Sequence, residues 1–478
     1  MNNSKLLLKK VYTVSSKHEK PRLWLQSLVC EAAGFTPGDD LYVQVNEADK
    51  LISIQNRPYE EGAGVHEVSV SSRKNRISGQ QRPLVDTCGD RYSTILCIQE
   101  KIEISVYRNG EEGHVIVRPL RFKLFESETF NSPSDERIRL LSICAGAGIG
   151  TACFVDSAYY TATMEVEVED DSASVLKHNF PNSYLFNGDL RDCHTVAKAD
   201  VAFVSLDCCE YSSLGNLDQG YFRNLVLGTY KILNSANARV LFFENVPQFY
   251  NSTSYNELRE LLSNDYPYIV GPIQLESYDF GSIALRNRSY AVYFQEKDDF
   301  DLFQVPKPPA VRHKLLKEFL DPASTEHEWK SLDKWMESFN KKAEKNNAWA
   351  NRGLEKTFVD ENASVIQCVA RRYRSHSASN SYVLNKDKTQ WRFLTVSELR
   401  RIFSIPDWFS WPAHISLSRI YEQIGQSVCG RAIRSFSNAI ASVFFRRFAK
   451  DQGSKKKKND ESFALSLDQS GQIGFMFS

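Results

Sequence analysis

The sequence predicts an α/β protein: a doubly wound parallel sheet, a β-rich unit ahead of it, and a smaller unit inserted late in the chain. Three observations carry this reading. From Arg137 onward, apolar runs of strand length alternate with amphipathic helical stretches, the pattern of a Rossmann-like sheet. Each of these runs ends in glycine, acid or thiol residues, as strands do when their carboxyl ends face a ligand. The first 125 residues read instead as alternating strands joined by turns.

Composition bounds the function. The chain has 478 residues, with 59 basic and 59 acidic side chains and 42% apolar residues. That length suits two or three domains, and the neutral balance excludes a wholesale polycation. No apolar run reaches the roughly 18 residues of a membrane span, and the leucines at Leu6–Leu8 are too few for a secretory segment. Ten cysteines without a CxxC pair point to a reducing, cytoplasmic setting, and no metal site is expected.

In chain order, residues 1–22 carry Lys5, Lys9, Lys10, Lys17, Lys20 and Arg22 against Glu19, which reads as a solvated tail or a phosphate-touching arm. Pro37-Gly38-Asp39 marks a turn before the alternation Leu41, Val43, Val45, and Asn109-Gly110 marks a hairpin. Residues 1–125 are thus a β-rich domain and 126–136 a polar linker. Residues 137–302 form the main α/β domain, and residues 303–390, basic and rich in tryptophan, break the alternation. Residues 391–449 return to helix, and 450–478 form a flexible tail with the run Lys455–Lys458.

The candidate site lies at the strand ends. Cys144, Gly146 and Gly148 follow the first strand in a glycine-rich turn that lets backbone approach a ligand. Glu167 ends the second strand and is placed to hydrogen-bond ribose hydroxyls, and Asp189 follows the third and suits an adenine amino group. Singly, each acid is an ordinary loop residue; together and in register they point to an adenosyl ligand. The fourth strand ends in Cys208 and Cys209 and the fifth in Glu244-Asn245-Val246-Pro247, a thiol and an acid suited to attack on an electron-poor heterocycle. Arg286 and Arg288, separated by one residue, fall on one face of a further strand. The run Arg371, Arg372, Arg374 suits phosphate contacts.

In this order, the motifs resemble the DNA cytosine-5 methyltransferases over roughly Arg137–Leu302 and Trp391–Phe448. SICAGAGIG is similar to that family's S-adenosylmethionine loop, and the segments around Glu167 and Asp189 to its second and third motifs. DCCEYS stands where the family has Pro-Cys-Gln-x-Phe-Ser, which places Cys208 on the nucleophile. ENVP matches the glutamate motif, and ALRNRSY places Arg286 and Arg288 on the family's arginines. RFLTVSE resembles the stretch after the recognition region, and IGQSV puts Gln426 and Ser427 near the cofactor. The resemblance implies S-adenosyl-L-methionine as cofactor, double-stranded DNA as partner, and a flipped cytosine attacked at C6 by Cys208 while Glu244 holds its N3 and 4-amino edge. Arg286 would help to hold the ring. It also implies a setting in restriction–modification or phage defence, with a restriction or defence-system partner.

Four positions depart from the family pattern: Asp207, Cys209, Ala284 and Gln426. A carboxylate beside the thiol raises its pKa and lowers the thiolate fraction. Besides an ordinary methyltransferase, the departures therefore leave open a different base, an RNA substrate, or a non-catalytic DNA-binding regulator. The segment RLWLQSLVCEAAGFTPGDDLYVQV resembles SymE-like and AbrB-type domains, which implies nucleic-acid binding and dimerisation by the N-terminal domain.

Overall fold

The computed structural model describes residues 4–59, 64–76, 78–121, 127–131, 136–206, 220–310, 312–322, 324–344, 354–461, 465–467 and 473–475, with side chains described up to residue 450 except those of 221–224 and 342–343. Among them, thirteen strands form one sheet. The N-terminal part supplies β1 (Lys5–Thr13), β2 (Asp40–Asn46), β3 (Leu51–Gln55), β4 (Val65–Ser69), β5 (Lys101–Asn109) and β6 (Glu112–Pro119). The later part supplies β7 (Ile138–Ile143), β8 (Tyr160–Glu167), β9 (Tyr184–Asn187), β10 (Val201–Val204), β11 (Val240–Asn245), β12 (Tyr268–Glu276) and β13 (Asn287–Phe294). Their spatial order is β12-β13-β11-β10-β7-β8-β9-β1-β5-β6-β3-β2-β4.

Strands β7 to β11 run parallel, and the chain starts in their middle: β8 and β9 build to one side of β7, β10 and β11 to the other. This is the expected doubly wound α/β sheet, and the direction reverses between β7 and β10, where such sheets open a crevice. Core strands such as β10 and β11 are buried along their whole length because helices cover both faces. Phe154, Phe203, Phe242, Tyr290 and Phe436 pack together on one side of β11.

The N-terminal strands are not a bead on a linker. β1 pairs in parallel with β9, with Lys10 opposite Asn187, and antiparallel with β5, so one sheet runs through both parts. This corrects the expectation of a solvated basic tail. Lys9 and Lys10 are 7% and 4% exposed, because an edge strand of the α/β sheet is completed by the segment that carries them. Successive residues of a strand face opposite sides. Lys9 accordingly bonds Glu103 and Thr195, each at 2.8 Å, while Lys10 bonds Asp170 at 2.5 Å and Asn187 at 2.6 Å.

Within the late insertion, four short strands, Lys330–Ser331, Gln390–Arg392, Tyr382–Leu384 and Phe358–Val359, form a small sheet. Trp335 and Trp391 are core residues there, packed with Phe358 and Tyr382, while Trp349 lies outside the described residues. The Arg392-x-Leu-Thr-x-x-Glu398 stretch has a clear physical role. Thr395 and Glu398 close a capping box on the Val396–Phe403 helix, and Glu398 takes two 2.7 Å bonds from the buried Arg392. The closing helix spans Gly430–Glu461, so the backbone of Lys455–Lys458 is helical, while those lysine side chains are outside the described residues.

Candidate active site

The crevice at the β7/β10 switch holds a cleft of about 320 Å³. Its floor is the turn after β7. Cys144, Gly146 and Gly148 all adopt positive φ (54°, 56° and 86°), and a Cβ on Gly148 would sit 2.6 Å from Leu176. A Cβ on Gly146 would meet nothing within 4 Å, so there the glycine serves the backbone turn rather than packing.

Glu167, at the end of β8, accepts 2.8 Å and 2.9 Å bonds from the N–H groups of Gly146 and Glu169. Burial raises its pKa, and these backbone bonds offset part of that. A carboxylate has about four acceptor sites, so its backbone bonds leave capacity for a ligand hydroxyl. Asp189 caps a short 3-10 turn and is paired with Arg191. Burial opposes its ionisation, but the Arg191 bonds outweigh burial and hold the carboxyl below its ordinary value. Apolar Val166, Leu190 and Phe203 line the space between these acids. An acceptor placed for ribose hydroxyls at Glu167, a second acid at Asp189, an open backbone turn and apolar walls fit an adenosyl group.

Beyond the end of β10, Ser205 donates to Glu244 at 2.7 Å, and Arg288 approaches the other oxygen at 3.0 Å. Glu244 is thus buried, charge-compensated and fixed on the cleft wall. Its neighbour Asn245 donates to the Leu206 carbonyl at 2.9 Å, tying the end of β11 to the segment that leads into residue 207. Cys208, with Asp207 and Cys209, lies outside the described residues.

The two arginines of the ALRNRSY segment part company. Arg288 reaches the cleft, whereas the described contacts of Arg286 run to the Gly425 carbonyl at 3.1 Å and Cys368 Sγ at 3.8 Å. Its guanidinium is buried and also lies near the Phe403 ring, and Gly425 supplies one of the acceptors it needs. Gln426 and Ser427 both line the cleft, at the end of the Leu417–Gln426 helix. Of the basic run, Arg371 lines the cleft and Arg372 is exposed, while Arg374 bonds Ser418 and lies over the Phe393 and Tyr421 rings.

Two residues that the motifs do not single out also line the site. Arg419 pairs with Glu169, Asp171 and Glu422, and Gln423 bonds Trp411 and Ser172. Their signal in the sequence was only helical spacing from Gln426, too weak to separate them from packing residues.

A doubly wound sheet with an adenosyl-type cleft and a fixed acid at its switch point defines the class. The chain belongs to the C-5 cytosine-specific DNA methylases, whose family model matches residues 138–442. It is 24% identical over 255 residues to the type II methyltransferase M.MspI of a Moraxella species, an alignment covering 52% of this chain and 57% of that protein. It is 26% identical over 216 residues to the type II methyltransferase M.NaeI of Lentzea aerocolonigenes, covering 43% and 51% respectively. The chain thus spans little more than half the length of these curated relatives. The structure of the Entamoeba histolytica methyltransferase EhMeth superposes with a TM-score of 0.50 at 16% identity, over 64% of this chain and 98% of that one, and shares the fold. Among the described residues no helix is long and apolar enough to cross a membrane.

Proposed function

We propose that the chain transfers a methyl group from S-adenosylmethionine to C5 of a cytosine flipped out of duplex DNA. The observation that carries this reading is Glu244, held between Ser205 and Arg288 in the same cleft as Glu167 and Asp189. An acid fixed in this way can hydrogen-bond the N3 and 4-amino edge of a cytosine as charge develops on the ring. The Cys208 thiolate would add to C6 and make C5 nucleophilic; once C5 carries the methyl group, with the thioether released, loss of the C5 proton to water would expel the thiolate. Glu167 and Asp189 would hold the cofactor, which supplies an electrophilic methyl on sulfur. Arg371 and Arg372 contact backbone phosphates. The setting is restriction–modification or a related defence role, in keeping with the names of the relatives.

The test is transfer of labelled methyl to mixed-sequence duplex DNA, with Cys208→Ser and Cys209→Ser alongside. Label in 5-methylcytosine, lost only with Cys208→Ser, is expected. Label that survives in Cys208→Ser contradicts the assignment. Arg371→Ala/Arg372→Ala is expected to weaken DNA binding and flatten its salt dependence by a slope of about 1–2; an unchanged slope removes both arginines from the interface.

A further inference from the structure

Lys10 lies in the N-terminal part, yet its ammonium is buried beside the cofactor cleft. It stands directly opposite Asn187 in the β1–β9 ladder and donates to Asn187 Oδ1 at 2.6 Å. An ammonium is only a donor, so it decides which way the Asn187 amide faces. With the oxygen turned to Lys10, the amide nitrogen donates to the backbone carbonyls of Glu167 at 3.1 Å and Val168 at 3.3 Å. The Glu167 carbonyl also accepts from the Gly188 N–H at 3.1 Å. The main chain of Glu167 is thereby clamped while its carboxylate holds the Gly146 N–H of the glycine turn. Asp170 anchors Lys10 from the helix that follows Glu167, and Lys101, also from the N-terminal part, bonds Asp192 at 2.7 Å beyond Asp189.

We infer that the N-terminal part is a working component of the cofactor site, in which Lys10 positions Glu167 through Asn187. Lys10 is a positioning residue, two contacts removed from Glu167. The inference rests on the adenosyl reading of the cleft. It makes the two parts of the sheet thermodynamically coupled: whatever loosens β1 weakens the cofactor, and the cofactor in turn tightens β1.

The experiment uses the full chain and S-adenosylhomocysteine as probe, measured by calorimetry, with amide exchange followed at Gly146. Lys10→Met keeps the aliphatic stem and removes the donor, Lys10→Arg restores a donor, and thermal midpoints report whether each variant folds. Lys10→Met is expected to weaken probe binding about tenfold and speed exchange at the Gly146 amide, with Lys10→Arg recovering part of both. The loss falls on cofactor affinity rather than on kcat at saturating cofactor. Asn187→Ala is expected to do the same, and the double variant to be no weaker than Asn187→Ala alone, because both act along one path. Independent, multiplying losses overturn the relay, as does a folded Lys10→Met with wild-type affinity and exchange. A wild-type chain that binds no probe overturns the adenosyl reading itself, and the cofactor role of Lys10 with it.

Discussion

The two ends of the thirteen-stranded sheet solve the same problem in different ways. In β10 and β11 every residue is buried, whereas β2 and β6 alternate buried and half-exposed positions. The parallel part has helices on both faces, so both sides of a strand must be apolar. Along β2 and β6 one face is partly solvated, so alternate residues there supply the core. The lesson lies where they join. β1 belongs to the antiparallel part by sequence pattern but completes the parallel part by pairing with β9, and its two buried lysines satisfy polar groups on both sides. A buried charge is tolerated there because each ammonium meets at least two acceptors.

Substitutions can sharpen this contrast, starting with the largest effect. Phe242→Ala, in the double-sided core between Phe203, Tyr290 and Phe436, is expected to cost about 3–5 kcal/mol in chemical denaturation. A cost below about 1 kcal/mol would mean that this face is not packed as described.

A smaller, pH-dependent effect is expected at Glu165, near the junction. Burial pushes its carboxyl up to about 8, against the bond from Ser183 and the nearby Lys177 ammonium. The folded chain therefore keeps a proton that the unfolded chain has lost, so this group's contribution to stability falls as pH rises from about 4.5 to about 8. Glu165→Gln should remove that downward slope in a series of denaturation curves. A slope that persists unchanged would place its source elsewhere. Lys177 is pulled down to about 8 by burial and acts with the opposite sign, at higher pH only.

The smallest effect is expected at Gln44 of β2, on the half-exposed face, where Gln44→Ala should stay within about 0.5 kcal/mol. A larger loss would show that the outer face of the N-terminal strands is covered in solution.

Much of this architecture could be read from the chain. The strands that lead to Cys144, Glu167, Asp189 and Glu244 are apolar runs with local signals, and glycine or acid residues mark where each one stops. The Asn109-Gly110 hairpin and the Thr395 capping box are equally local. What could not be read depends on partners far apart in sequence. Lys10 looks like a tail residue until Asn187, 177 positions away, is seen opposite it. Arg286 and Arg288 share a motif, yet their destinations are set by Gly425 and Glu244, on different elements. Arg419 and Gln423 enter the cleft only because their helix is placed against the start of the Asp170–Asn179 helix.

The central claim is that the acid fixed on β11 works with the thiol of Cys208 on a cytosine ring. The most direct measurement is mass spectrometry of the protein after reaction with S-adenosylmethionine and duplex DNA carrying 5-fluorocytosine, which has no C5 proton to lose and so retains the adduct. A covalent protein–DNA species mapped to the peptide at Cys208, and strongly reduced in Glu244→Gln, is the predicted result. An adduct on Cys209, or none from a chain that binds both DNA and cofactor, would contradict the account.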